Sequence, residues 1–490
     1  MSSPSPKLEF VSTADASCRG SLRDVLLSAM PAKGGLWVPT HIPQLAPGFV
    51  ERHRDASYAD LAEAVVAPYF GEVLGPAVLR QLCQEAFNFP VPLVRPEKLK
   101  GTPAERIAVL ELFQGPSAAF KDFAVRTLVR VTARVLGDEF PQLTVLAATS
   151  GDTGAAVTEA CAGVPGVRAV VLYPRIGVSG VQESQIARPR PGVVALSVDG
   201  TFDDCQAMVK RALADESLRR RRPLLTANSI NPVRLIAQVP FAFHAKRLLA
   251  PGRRMGVVVP SGNLGNVGAV QLARRMGLDV AALVAATNTN SPLPDLFATG
   301  EYRPRRAVPT ASNAMDIGDP NNLSRLLAWR EGGPAVSAVT VDDKATLDAM
   351  RRVREASGYV LCPHSAVGWK AAEDLLAREG AKLDDVVVFG TAHPAKFPDA
   401  VERAIGVRPS LPARVGDLFG REESFIELAG DYATTRDHVL SHAASTSAGS
   451  TGSGATVRPT SSTRIMSSER PMPLPPQLSG IAMPSRAASR

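Results

Sequence analysis

The chain has 490 residues, 45% apolar and 21% charged, a globular composition long enough for two or three domains and for a core that needs neither disulfide nor metal. Its five cysteines are scattered, with no CxxC pair, which argues against a disulfide framework or a zinc site and fits a reducing compartment, the cytoplasm. The formal charge of +8 is half accounted for after residue 442, where five arginines face one glutamate; the body is only mildly basic, no apolar run reaches the ~18 residues of a membrane span, and Met1-Ser2-Ser3-Pro4 does not begin a secretory leader.

Residues 1–95 read as an N-terminal domain. It opens with an aromatic, proline-bounded turn, Gly34-Gly35-Leu36-Trp37-Val38-Pro39, followed by helical patterns. Pro90-Val91-Pro92-Leu93-Val94-Arg95-Pro96 reads as an extended linker, because three prolines forbid a helix there. From 96 to 440 short apolar runs alternate with amphipathic stretches. The predicted strands are Leu143–Ala148, Ala169–Leu172, Val193–Val198, Gly256–Val259, Ala281–Ala286 and Val386–Phe389. Runs rich in Val, Leu and Ala suit strands covered on both faces, so the class is α/β with parallel sheets and with ligands at the C-terminal strand ends.

Four segments carry chemistry. In Glu111 to Phe123 a Gly115-Pro116-Ser117 turn leads to a helix whose first turn sets Lys121 between Phe120 and Phe123. Apolar neighbours desolvate an ammonium and make it a nucleophilic amine; the plainer reading is a snorkelling surface lysine. Ala147 to Ala155 brings Thr149, Ser150, Asp152 and Thr153 to a strand–loop–helix junction. That junction suits a second anion such as a substrate carboxylate, or is simply a helix capped by Ser150 or Asp152.

Between them, Arg219 to Arg222 before Pro223 reads as the basic end of a helix rather than a nucleic-acid contact. Val257 to Gly268 takes a strand into Pro260-Ser261-Gly262-Asn263-Leu264-Gly265-Asn266 and then a helix from Ala269 to Met276. This is a phosphate cradle without the GK[ST] of a Walker loop or the first glycine of a dinucleotide fingerprint, or else a tight connecting turn. Val387 to Lys396 ends a buried strand in Thr391, His393 and Lys396; His393 alone reads as a hydrogen-bonding turn residue. Residues 441–490 read as a disordered tail: from Ala443 onward 16 of 48 residues are Ser or Thr, six are Pro, and no apolar period survives.

Taken together these segments resemble the bacterial and fungal branch of the threonine synthase family. Its ELFHGPTLAFKDF stretch is matched by Glu111 to Phe123, its SGDTG by Ser150 to Gly154, its PSGNFG by Pro260 to Gly265, and its GTAHPAKF by Gly390 to Phe397. Leu172-Tyr173-Pro174, Asn228-Ser229-Ile230-Asn231, Ala285-Ala286-Thr287-Asn288 and Ser312-Asn313-Ala314-Met315-Asp316 agree as well. The resemblance implies a fold type II pyridoxal-phosphate enzyme, similar to the tryptophan synthase β chain, with two open parallel-sheet lobes and an added N-terminal domain. It implies a lyase that converts O-phospho-L-homoserine and water to L-threonine and phosphate.

By matching position, the resemblance implies that Lys121 holds the cofactor as a Schiff base. Gly262, Asn263, Leu264, Gly265 and Asn266 surround the cofactor phosphate, and Thr391 faces the pyridine nitrogen. Ser150, Asp152 and Thr153 fall to the substrate, and Arg234 and Lys396 to its phosphate. Gln114 stands where the family usually has His, and Leu264 where it has Phe; Gln114 cannot carry a proton, so an acid–base role there is in question. Two other readings remain open: a phospho-lyase that releases phosphate without making threonine, and a catalytically silent cofactor-binding protein, which the intact Lys121 segment speaks against. No nucleic-acid partner or metal is implied, and monomer and homodimer are equally compatible with the sequence.

Overall fold

The computed structural model describes residues 8–99, 101–140, 142–149, 151–221, 223–330, 335–415 and 423–441. The expected tail lies outside these residues except for Ser441, which ends the helix Tyr432–Ser441. The N-terminal part builds a small antiparallel sheet from β1 (Phe10–Ser12), β2 (Arg19–Gly20) and β3 (Trp37–Pro39), in the order β2-β1-β3. The stretch expected as a turn is thus a Gly34-Gly35 turn, both glycines at positive φ, that feeds a strand. Helix Leu22–Leu27 starts in a capping box, Ser21 with Asp24. Helices Tyr58–Leu74 and Pro76–Ala86 complete this region.

Two parallel sheets follow. The remaining strands, in chain order, are β4 (Leu93–Val94), β5 (Ile107–Glu111), β6 (Leu143–Ala148), β7 (Val167–Pro174), β8 (Val193–Val198), β9 (Leu224–Thr226), β10 (Met255–Pro260), β11 (Ala282–Thr287), β12 (Ser337–Thr340), β13 (Asp385–Gly390) and β14 (Ile426–Leu428). A six-stranded sheet runs β12-β11-β10-β13-β5-β4, and a five-stranded sheet runs β14-β8-β7-β6-β9. All pairings in these two sheets are parallel except β4 with β5. The proline-rich linker therefore contains a strand, placed where prolines do least harm, at a sheet edge. Every residue of β6, β10 and β13 is buried, as continuous apolar runs require when helices cover both faces.

One core cluster joins the N-terminal region to both lobes: Phe10, Trp37, Leu61 and Phe70 belong with Phe123, Phe241 and Phe389. Arg325, fully buried, fastens the same junction. Its guanidinium donates to the carbonyls of Trp37 (2.9 Å), Ser229 (3.2 Å) and Ile230 (2.5 Å) and to Asn322 Oδ1 (2.6 Å). All five cysteines are free thiols, four of them buried. No helix among the described residues is long and apolar enough to cross a membrane.

Candidate active site

The site gathers where strands of both sheets end. Helix Lys121–Leu136 begins at Lys121 itself. The turn before it is held from two sides. Ser117 N donates to Asp122 Oδ2 (2.9 Å), and Ala119 bridges Ala392 while Phe120 N donates to the Thr391 carbonyl (2.9 Å). The loop carrying Lys121 is thereby pinned against the turn that ends β13, and Thr391 lines the same cavity as Lys121. Ala118 sits at φ 55° and Leu264 at φ 60°, the two non-glycine residues of the described chain at positive φ. Each belongs to a loop of this site, a pattern in which surrounding structure sustains local strain of about 1–3 kcal/mol.

Lys121 Nζ lies 3.2 Å from Asp152 Oδ2 and 5.0 Å from the centroid of the Phe120 ring. Burial pushes the Lys121 ammonium below its ordinary pKa; Asp152 pulls it back up, while Lys396 and Arg234 add to the lowering. Asp152 is 3% exposed at its side chain. Its Oδ1 accepts from Gln182 Nε2 (2.9 Å) and faces Lys396 Nζ at 3.1 Å. Burial alone would raise this carboxyl, but the two ammoniums and Gln182 outweigh it and hold it well below the carboxylate range. Asp152 is the first residue of helix Asp152–Cys161 and does not cap it. Thr149 Oγ1 accepts from the N–H groups of Gly151 (2.9 Å) and Gly154 (2.8 Å) instead. Ser150 lies outside the described residues, and Thr153 lines the cavity.

Opposite, β10 runs into the loop Ser261-Gly262-Asn263-Leu264, and the next helix spans Gly265–Arg275, starting four residues before the expected Ala269. Gly265 and Asn266 open that helix and line the cavity, so their N–H groups belong to its positive end. A side chain at Gly262 would put its Cβ 2.9 Å from Met315 Cα and 3.2 Å from the Ala314 carbonyl. Asn263 is fixed by Asn321, whose N and Nδ2 donate to its Oδ1 at 3.1 and 3.2 Å. Asn266 is buried, and neither polar atom of its side chain has a partner among the described residues.

Arg234 is 4% exposed and lines the cavity. Its Nη1 donates to the Ala227 carbonyl (2.5 Å), its Nε has no partner among the described residues, and burial lowers its pKa to about 10. Lys396 requires a correction. Expected at the substrate phosphate, it is fully buried and outside the cavity lining, with its Nζ engaged by Ser117 O, Gln185 Oε1 and Asp152. Gln114 is also elsewhere: it donates to Glu111 Oε2 (2.5 Å), whose carboxylate also accepts from Tyr359, so the His-to-Gln departure falls outside this cavity. His393 caps the turn Pro394–Lys396 through Nδ1 and is not a lining residue.

Among the lining residues that the sequence did not reveal, two carry a buried polar atom without a partner among the described residues. His364 is buried at the start of helix Pro363–Glu379. Its Nε2 accepts from Ala314 N (3.1 Å), its Nδ1 is unpartnered among the described residues, and burial lowers its pKa to about 4. Gln238, with an Oε1 unpartnered among the described residues, is the other. A polar residue just after a helix-starting proline was the available signal for His364.

These residues fit pyridoxal phosphate. A desolvated lysine shares the cavity with a helix N-terminus whose leading loop is too close to its neighbours at Gly262 for any side chain, and the lining carries buried polar atoms without partners among the described residues. Comparisons with known proteins agree. A family model described as pyridoxal-phosphate dependent enzyme matches residues 85–391, flanked by threonine synthase N terminus over 9–87 and threonine synthase, C-terminal over 365–439. A threonine synthase of Pseudomonas aeruginosa is 34% identical over 469 residues, covering 89% of this chain and 98% of that protein. The crystal structure of pyridoxal-phosphate-bound threonine synthase from Brucella melitensis superposes with a TM-score of 0.81 at 35% identity, covering 89% of this chain and 99% of that one. The Escherichia coli threonine synthase structure gives 0.81 at 33% identity, covering 89% and 100%. The chain therefore belongs to the threonine synthase family of pyridoxal-phosphate-dependent enzymes.

Proposed function

We propose that this chain converts O-phospho-L-homoserine and water to L-threonine and phosphate, with Lys121 as its catalytic amine. The observation that carries the reading is the Lys121 Nζ, largely withdrawn from water, 3.2 Å from Asp152, in the cavity that the Gly262–Asn266 helix start closes. Lys121 would hold the cofactor's aldehyde carbon, Gly262, Asn263, Leu264, Gly265 and Asn266 its phosphate, and Thr391 its ring nitrogen. A hydroxyl at that nitrogen favours the unprotonated ring, a weaker electron sink than a carboxylate would give. When bound, pyridoxal phosphate supplies the electron sink that lets protons leave the substrate carbons.

The chain's own side chains do the remainder. Burial keeps the Lys121 amine within reach of its neutral form, so it can take a proton from one substrate carbon and return it to another. Asp152, ionised, fixes the orientation of that amine. Arg234 brings to the cavity wall a guanidinium whose Nε has no partner among the described residues, a geometry suited to the leaving phosphate. Ser150 and Thr153 serve the substrate carboxylate. The division at 95 and 440 into N-terminal domain, two-lobed catalytic region and tail belongs to the same proposal, as does the cytoplasm, supported by five free thiols.

The test is to incubate purified protein with pyridoxal phosphate and O-phospho-L-homoserine and to quantify phosphate and threonine together. Equal amounts are expected. Phosphate without threonine would establish the phospho-lyase reading instead, and neither product would overturn both.

A further inference from the structure

Lys396 stands on the turn after β13, in the lobe of the six-stranded sheet, yet its ammonium reaches the other lobe. It donates to the Ser117 carbonyl (2.7 Å) and to Gln185 Oε1 (2.7 Å) on helix Gly180–Ala187, and it lies 3.1 Å from Asp152 Oδ1. Its three protons thus have three protein acceptors, and Lys396 itself does not line the cavity. Ser179 Oγ donates to the Lys396 carbonyl (3.0 Å), so backbone and side chain are both fastened. We propose that Lys396 is a positioning residue, a standing counter-ion that keeps Asp152 charged and aimed at Lys121 while Lys121 itself carries no charge. The inference rests on Lys121 being the cofactor-bearing amine.

An amine that takes up and returns protons is neutral for part of each turnover. If Lys121 were the sole partner of Asp152, each such stage would leave a buried carboxylate unpaired, and the group would take up a proton instead. Among the described residues the other groups near Asp152 are no substitute; burial pushes the Cys362 thiol up, so it brings no positive charge. Gln182 donates but is uncharged. His364, on helix Pro363–Glu379, is held neutral by burial, with a pKa of about 4. Arg234 donates to the Ala227 carbonyl and forms no ion pair with Asp152 among the described residues. Asp122, which feels the charge of Lys396, is a carboxyl that burial pushes up to about 6 and brings no positive charge. Among the described residues Lys396 is the one cation besides Lys121 paired with Asp152.

The experiment uses holoenzyme and a double-mutant cycle with Lys396→Met, Lys396→Arg and Asp152→Asn. For Lys396→Met, kcat should fall on the order of a hundredfold with KM for O-phospho-L-homoserine little changed. The acid limb of the kcat profile, and the pH at which the cofactor's visible absorbance changes, should move up by about one unit or more. Lys396→Arg should restore most of the spectral titration. Adding Lys396→Met to Asp152→Asn should cost less than about threefold further, since the two act as one unit. A Lys396→Met enzyme with wild-type kcat and spectrum would overturn the proposal. So would a large rise in KM that adds independently to Asp152→Asn, because Lys396 would then read the substrate.

Should Lys396→Met not fold, Lys396→Arg decides: a folded, charge-retaining variant whose spectral titration departs from wild type by about a unit or more refutes the counter-ion role. Absence of a visible band from wild type with added pyridoxal phosphate would refute the Lys121 reading instead. Infrared detection of the protonated Asp152 carboxyl in wild type and Lys396 variants then tests the counter-ion by itself.

Discussion

At Lys121 the snorkelling surface side chain gives way, because Asp152 and the cavity wall withdraw the ammonium from water; its role as the nucleophile is what we propose. Lys121→Ala should abolish the visible band that appears on adding pyridoxal phosphate and should abolish threonine formation, while circular dichroism stays that of the wild type. A variant that keeps the band would place the covalent attachment elsewhere. Arg234 is the residue through which phosphate specificity should be read. A buried guanidinium whose Nε has no partner among the described residues loses most when an anion disappears, by about 1–3 kcal/mol per charged hydrogen bond. Arg234→Ala should therefore lower kcat/KM for O-phospho-L-homoserine at least about tenfold more than for vinylglycine. Equal proportional losses on the two substrates would show that Arg234 does not touch the phosphate. Local sequence carries the lysine, the glycines and Thr391 plainly. It could not tell that Lys396 turns inward, because the groups that hold it come from segments 211 to 279 residues away.

Among elements, the sequence shows most clearly the strands covered on both faces. Leu143–Ala148 and Val193–Val198 have the bounds expected from their apolar runs; of the other four predicted strands, three lengthen by one or two residues at each end and Ala281–Ala286 shifts by one. Short edge strands such as β9, β12 and β14 gave no such run; β12 has no buried residue. The helix after β10 was expected late because Gly265 and Gly268 read as loop, whereas tight packing against Met315 demands a residue without a side chain at Gly262. Gly262→Ala should thus force its new methyl against backbone and weaken cofactor affinity on the order of tenfold, measured by absorbance titration. Unaltered affinity would show that the loop yields.

Helix Val239–Leu248 offers a pH test. His244 Nε2 donates to the Val91 carbonyl (2.8 Å) and Nδ1 accepts from Arg247 Nε (2.9 Å), so a second proton has no acceptor and must lie against a guanidinium. Burial, reinforced by Arg247, lowers its pKa from 6.5 to about 4. The unfolded chain then binds a proton that the folded chain refuses. The contribution of the neutral imidazole is full above the unfolded pKa and is lost as pH falls from there toward the folded one, on the order of 3 kcal/mol in all. Urea unfolding of His244→Gln should flatten that window, and an unchanged pH slope would assign the acid sensitivity to other groups.

On the scale of the whole molecule, packing continues into the helix that ends at Ser441. Thr435 and Val439 are buried, Tyr432 OH donates to Asp215 (2.9 Å), and Arg436 pairs with the same carboxylate. A chain ending at Ser441 should keep its melting temperature within a few degrees and its kcat, because no described contact is removed. One ending at Gly430 should lose stability. Finding both truncations equally harmless would show that the last helix contributes no packing. Arg325 bears on how such a chain can be rearranged. Its single charge is satisfied by Trp37 from the first 95 residues, by Ser229 and Ile230 beside the candidate phosphate arginine, and by Asn322 beside the glycine loop. The N-terminal region is thus no detachable module. Trimming the chain to the stretch it shares with other pyridoxal-phosphate enzymes would strand a guanidinium in the interior, so a graft of this catalytic half onto another leader would need to bring a carbonyl in place of Trp37 or give up Arg325 as well.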